Sequence, residues 1–107
     1  MNSNLKISLV GLILCFLASS SLAGRYWPST TLSTWELQLN NGVAYISSTD
    51  FASHCKHSRG QINMDGTEFN KALYAYAMSA KARGKKLNYV VDSDDTYCVV
   101  SGLIEVD

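Results

Sequence analysis

An apolar run close to the start decides how the rest of this sequence is read. Ile7–Ala18 is interrupted only by Ser8. As a helix at 1.5 Å rise per residue, a run of this length reaches about 18 Å, short of the roughly 30 Å hydrocarbon core of a bilayer. It follows a short polar start that carries Lys6, and it leads into Ser19-Ser20-Ser21-Leu22-Ala23. Ser21 and Ala23 take the −3 and −1 places of a small-residue cleavage site. Residues 1–23 therefore read as a signal peptide, and residues 24–107 as one exported domain, periplasmic or secreted. An uncleaved anchor is the alternative; the short core and the small-residue exit count against it. A lipoprotein signal would put its cysteine after a small residue, whereas Cys15 follows Leu14 in mid-run. No later segment is apolar enough to cross a membrane.

Removing the leader changes the cysteine arithmetic. The chain has three cysteines, and loss of Cys15 leaves Cys55 and Cys98. An even count in an oxidising compartment reads as one bridge; two free buried thiols are the alternative. A bridge would close a loop of about 43 residues, worth roughly 4 kcal/mol in loop-closure entropy. A domain of this size has a net stability of about 4–13 kcal/mol, so the bridge would rival the whole margin. Lys+Arg and Asp+Glu are equal at 9 each, and losing Lys6 shifts the balance by a single charge. That gives no global pull toward nucleic acid or an anionic membrane.

The clearest element is a helix over about 66–83. Asp65 and Glu68 have capping-box spacing. Phe69, Ala72, Leu73, Tyr76, Ala77 and Ala80 recur at helical spacing as a buried stripe. Gly84 stands at the left-handed C′ position, with Lys81, Arg83, Lys85 and Lys86 at the negative end of the dipole. Ahead of it, Trp35, Leu37 and Leu39 alternate with polar residues, Asn40-Asn41-Gly42 turns the chain, and Val43–Ile46 resumes extended structure. A polar stretch, 47–60, leads to a short strand at 61–64. After the helix, Leu87, Tyr89 and Val91 alternate, Asp92–Asp95 turns, and Thr96–Val106 forms a last strand bent at Gly102. The order β-β-β-α-β-β is α+β, mainly β. It predicts a small OB-like five-stranded Greek-key barrel with one amphipathic helix. An open sheet packed on the helix is the alternative.

Few residues carry recognisable chemistry. His54-Cys55-Lys56-His57 has the residue types of a transition-metal site or a histidine-activated thiolate. Both uses need Cys55 reduced, and no second Cys/His group completes a zinc site. A basic loop beside a disulfide is the simpler reading, so no metal is assigned; a metal site on His54 and His57 is the chemical alternative. Asp92-Ser93-Asp94-Asp95 opens like a calcium loop, but Tyr97 and Leu103 occupy the glycine and glutamate positions. No nucleophile-elbow glycines flank a serine, and no phosphate-binding glycine loop occurs. Tyr45, Ser47, Ser48 and Asp50 combine an aromatic ring with polar groups in one short stretch, a pattern that stacks on and hydrogen-bonds a sugar. Core filling is the alternative for any one aromatic. Tyr74, Ala75 and Met78 fall outside the buried stripe and mark a candidate oligomer surface.

The segment Phe69–Leu87, followed by the acidic turn and Cys98, resembles a family of small uncharacterised exported proteins of Gram-negative bacteria. The likeness spans about Cys55 to Val106. The same layout is similar at fold level to the receptor-binding B subunits of AB5 toxins, including the subtilase cytotoxin, cholera and heat-labile enterotoxin types. Those are exported OB-fold subunits that form pentamers and bind host glycans. The resemblance implies a Cys55–Cys98 bridge and a structural helix.

Together these readings predict an exported, non-enzymatic binding domain with no cofactor. Its expected partner is a glycan or protein receptor, bound near Tyr45, Ser47, Ser48 and Asp50, with homo-oligomerisation in prospect. A periplasmic structural or protein-partner-binding domain is the alternative.

Overall fold

The computed structural model describes residues 24–107; the expected leader, 1–23 with Cys15, lies outside the described residues. Among the described residues, two three-stranded antiparallel sheets and one α-helix make an α+β domain. One sheet has the order β2-β3-β4, from Glu36–Asn40, Val43–Ser47 and Arg59–Asn63. The other has the order β1-β5-β6, from Arg25–Tyr26, Lys86–Asp92 and Gly102–Val106. The helix, α1, is Glu68–Ala82. No described helix is long and apolar enough to cross a membrane.

Local sequence explains most of these elements. Asn41 and Gly42 both take positive φ, 52° and 79°, as a tight two-residue hairpin turn requires. That turn sets a register in which Asn40 faces Val43, Gln38 faces Tyr45 and Glu36 faces Ser47. At the other end of the helix, Gly84 has φ 67°. Gly84 N–H donates to Lys81 O and Lys85 N–H donates to Ala80 O, at 3.1 and 2.9 Å. These are the paired bonds of a Schellman stop.

The helix start differs from the expectation. Gly66, with φ 88°, cannot be helical, and the N-cap is Thr67, whose side chain accepts from Asn70 N–H. Asp65 acts one step earlier. Its Oδ1 accepts from Thr67 N–H, Thr67 Oγ1–H and Asn70 Nδ2–H. Those bonds, the Thr67 backbone N–H first, hold the Asp65 carboxyl below the usual aspartate range.

The buried stripe is also narrower than periodicity predicts. Leu73, Ala77 and Ala80 are buried, whereas Phe69 is 57% exposed and Tyr76 39%. Two alanines on the contact face bring the helix backbone close to the sheets. Residues flanking that narrow line are left outside it. Tyr76 retains one polar duty, because its hydroxyl accepts from Glu105 N–H at 2.9 Å.

One core serves both sheets. Ala44, Ile46 and Ile62 come from β3 and β4, Leu87, Tyr89 and Val91 from β5, and Leu32, Trp35 and Val100 from the connections. The sheets touch through two short seams. Leu32 and Leu87 exchange both backbone bonds, at 2.8 and 3.1 Å. Gln61 N–H donates to Cys98 O, and Val100 N–H donates to Gln61 O, a lone parallel bridge beside β4. The Cys55–Cys98 disulfide spans this second seam, with Cα atoms 5.5 Å apart.

The pairing is thus two sheets with a seam on either side, and not a continuously closed five-stranded barrel. Chain geometry explains the interruption. Cys98 has φ 52°, which breaks extended structure before β6 begins at Gly102. On the opposite seam, Ser33, Thr34 and Trp35 intervene between Leu32 and β2. The additional strand β1 pairs with the end of β5, Arg25 against Asp92 and Tyr26 against Val91. Two residues are too few to register as an alternating pattern.

Candidate functional site

The hairpin register lines up the walls of a cleft. Glu36 faces Ser47 across β2 and β3, and Ser47 faces Arg59 across β3 and β4. The residues running into and out of these ends line an open cleft of about 340 Å³. One wall is Thr34 to Glu36, a second is Ser47 to Thr49, and the third is His57 with Ser58.

Ser48 ties the walls together. Its hydroxyl donates to Thr34 O at 2.7 Å and accepts from Asp50 N–H at 3.2 Å. Its backbone N–H donates to Ser58 O at 3.1 Å. With both hydroxyl roles used and 8% of its surface exposed, Ser48 shapes the cleft and leaves ligand contact to its neighbours. Trp35 forms the apolar side and is 3% exposed. Its indole N–H donates to Lys85 O at 3.0 Å. The Lys81 ammonium sits 4.9 Å from its ring and donates to Trp35 O. A ring buried this far and pinned by helix α1 on one side backs the cleft rigidly and leaves it almost no face for stacking.

The third wall is backbone in an uncommon state. His57 and Ser58 have φ 62° and 51°, left-handed values that cost non-glycine residues about 1–2 kcal/mol each. Neighbouring bonds hold them there. Cys55 is bridged to Cys98, Lys56 N–H donates to Thr96 O at 2.8 Å, and Ser58 N–H donates to Cys55 O at 3.3 Å. The disulfide therefore supports the site as well as the fold.

Of the residues expected to bind ligand, Ser47 and Ser48 line the cleft. Asp50 is exposed in the turn beyond it. Tyr45 lies two residues back along β3, on the solvent face of the sheet, with the Arg59 guanidinium 3.9 Å above its ring. Thr34, Trp35, Glu36, His57 and Ser58 were not singled out as sugar contacts from sequence. Counting back from the Asn41-Gly42 turn places Glu36 against Ser47, so that wall was accessible to register reasoning. The left-handed His57 and Ser58 carry no such signal.

No known protein family, curated protein or solved structure matches this chain. Its own geometry carries the functional reading.

The other candidate clusters have structural work. His54 Nε2–H donates to Asp92 O at 3.1 Å, and the ring meets Tyr26 edge-on at 5.3 Å. Its nitrogen and the sulfurs of Cys55 and Cys98 lie within 4.8 Å of one another. Two of those three donors are joined in the disulfide, and bridged sulfurs are not thiolate ligands. His57 stands apart from this group, on the wall of the cleft. In the acidic turn, the Asp95 carboxylate accepts from Tyr97 N–H and Val99 N–H, at 3.0 and 2.8 Å. It organises the approach to Cys98. Deeper in, Phe51 stacks on Tyr89 at 4.1 Å, and the Tyr89 hydroxyl accepts from Ala52 N–H at 2.8 Å. Burial pushes the Tyr89 phenol up from its usual range.

Proposed function

We propose that this protein is a non-enzymatic, exported carbohydrate-binding domain built on an OB-like barrel. The cleft beside Trp35 carries the reading. Hydroxyl-bearing Thr34, Ser47, Thr49 and Ser58 surround it together with Glu36 and His57. Hydroxyl side chains both donate and accept, as sugar hydroxyls do, and the buried indole of Trp35 gives the cleft a rigid apolar floor. Among the described residues that line it, Glu36 is the sole carboxylate. Glycoside hydrolysis ordinarily uses a facing pair, so binding fits this lining better than hydrolysis. The disulfide accords with an oxidising destination, periplasm or extracellular medium.

The barrel reading rests on the order of elements around the core. From β2 through β3 and β4, the parallel bridge at Gln61 leads to the segment entering β6, then β5, and Leu87 returns to Leu32 ahead of β2. That is the cyclic order of a five-stranded Greek key with both seams reduced to single bridges. It agrees with the resemblance to toxin B subunits, whose role is receptor binding.

A glycan array probed with oxidised protein tests the function. Binding to a defined set of glycans, weakened about tenfold or more by Glu36→Gln, is expected. An array blank at high protein concentration would sink the reading.

A second reading, a structural or partner-binding domain that self-associates, rests on the uncovered flank of α1. Phe69 and Tyr76 there are 57 and 39% exposed. A second copy of this chain is the proposed occupant. Native mass spectrometry that returns only monomer at high concentration would remove it.

A further inference from the structure

The solvent face of the β2-β3-β4 sheet begins where the cleft ends. Glu36 and Ser47, at the cleft, start a cross-strand pattern that continues away from it. In the next row Gln38, Tyr45 and Gln61 stand opposite one another, and beyond them come Asn40, Val43 and Asn63. Alternation puts all of these side chains on one face, the side opposite the buried Ala44, Ile46 and Ile62.

The face is rich in carboxamides. Four carboxamides, Gln38, Asn40, Gln61 and Asn63, surround a single aromatic ring, and no lysine interrupts them. The amides on β4 are already ordered, Gln61 Nε2–H donating to Asn63 Oδ1 at 3.0 Å. Tyr45 is also fixed, with Arg59 stacked 3.9 Å from its centroid. A carboxamide presents two donors and an acceptor on one planar group, so it can meet vicinal hydroxyls in either sense without a charge to desolvate. The Arg59 guanidinium covers one face of the ring; beyond it the surface is amide, and four carboxamides fit a polyhydroxylated chain better than an apolar peptide. Its length fits as well. From Glu36 at the cleft, four further residues at about 3.3 Å rise extend roughly 13 Å to the Asn41-Gly42 turn, which leaves room for two or three linked sugars.

We propose that this sheet face is an extended subsite that takes the inner units of a neutral oligosaccharide whose terminal unit sits in the cleft. The proposal rests on the carbohydrate reading of the cleft and adds chain-length dependence to it. Arg59 and Glu36 mark the junction, facing each other across Ser47. The terminal unit meets hydroxyls and one carboxylate there, and the following units meet amides.

The test is a set of ¹⁵N–¹H NMR titrations of the oxidised protein with two neutral series. One is methyl glucoside, maltose and maltotetraose; the other is methyl galactoside, lactose and lacto-N-tetraose. In one series the tetrasaccharide should bind at least tenfold tighter than the monosaccharide. The side-chain amide signals of Gln38 and Gln61 should move only with the longer ligands. Gln38→Ala should abolish most of the length gain and leave monosaccharide affinity unchanged; the same spectra report that the variant is folded. Equal affinity along each series, with shifts confined to Ser47, Thr49 and His57, overturns the extended subsite and leaves the cleft reading standing. Absence of shifts at both places with all six probes overturns both.

Discussion

The two sheets share a core but are built to different ends. In β2-β3-β4, apolar and polar residues alternate: β3 buries Ala44 and Ile46 and turns Val43, Tyr45 and Ser47 outward. In β1-β5-β6, the central strand is closed on both sides. Tyr89, Val90 and Val91 are consecutive and all buried, with Val90 packed against the backbone of Gly102. One sheet presents a surface while the other supplies bulk. Alternation frees every second side chain for contact with a ligand, whereas a strand covered on both faces has no such freedom. The cleft and the amide face accordingly both belong to the first sheet, and the second, with the helix, holds it in place.

If that division holds, cutting the connection between the sheets should have the largest effect. Cys55→Ser with Cys98→Ser releases a loop spanning 43 positions and should lower stability by about 4 kcal/mol in urea unfolding. Glycan binding should fall with it, since the His57–Ser58 wall loses its anchor. A double variant within 1 kcal/mol of the parent would show that the backbone seams suffice. Next comes a pair of matched insertions. A Cβ at Gly60 would lie 2.7 Å from Phe51 Cζ and 2.9 Å from Val100 Cγ2, whereas at Gly102 the nearest atom is Val90 Cγ2 at 3.2 Å. Gly60→Ala should cost about 1–3 kcal/mol by overpacking, and Gly102→Ala distinctly less. Equal midpoint shifts would erase the contrast between a tight seam and a yielding sheet.

Smaller effects probe the helix. Thr67→Ala removes the cap and should cost about 1 kcal/mol, read by thermal or urea unfolding, with glycan binding unchanged. The Asp65 carboxyl gives a pH signature. Its folded value lies below the ordinary one, so its stabilisation is complete above the usual aspartate range. It is lost as pH falls through the lowered folded value. Asp65→Asn should flatten that acid limb of the stability curve, and an unchanged acid limb would remove Asp65 from the account.

The contrast also marks what was legible before any coordinates. Elements governed by neighbours in sequence were readable: the Asn41-Gly42 hairpin, the amphipathic helix and its stop at Gly84. The helix start was displaced because Asp65 and Thr67 both have capping side chains, and only the positive φ of Gly66 decides between them. Exposure of Phe69 and Tyr76 could not be read from periodicity. Periodicity reports which residues share a face, and not how wide a neighbour covers it. The site was half legible for a related reason. Ser47 and Ser48 were found within one polar stretch, while Thr34 and His57 reach them only through register and through a disulfide-held loop. Tyr45 lies on the same sheet as the cleft and on a different part of its surface.

The parallel bridge at Gln61 has a consequence for how the chain assembles as it is synthesised. The hairpins of β2, β3 and β4 join near neighbours and can form as soon as residue 63 is available. Their outer edge at Gln61 then waits for Cys98 and Val100, which arrive only after the helix and β5. Until that moment the strand edge of β4 is open, and the amide groups of Gln61 have no partner. Non-local pairing of this kind is slow to form, and unpaired edges are where chains stick to one another. The glycine-punctuated, largely polar stretch Arg59–Asn63 therefore serves a nascent edge well. It offers a passing strand little apolar surface until its own partner emerges.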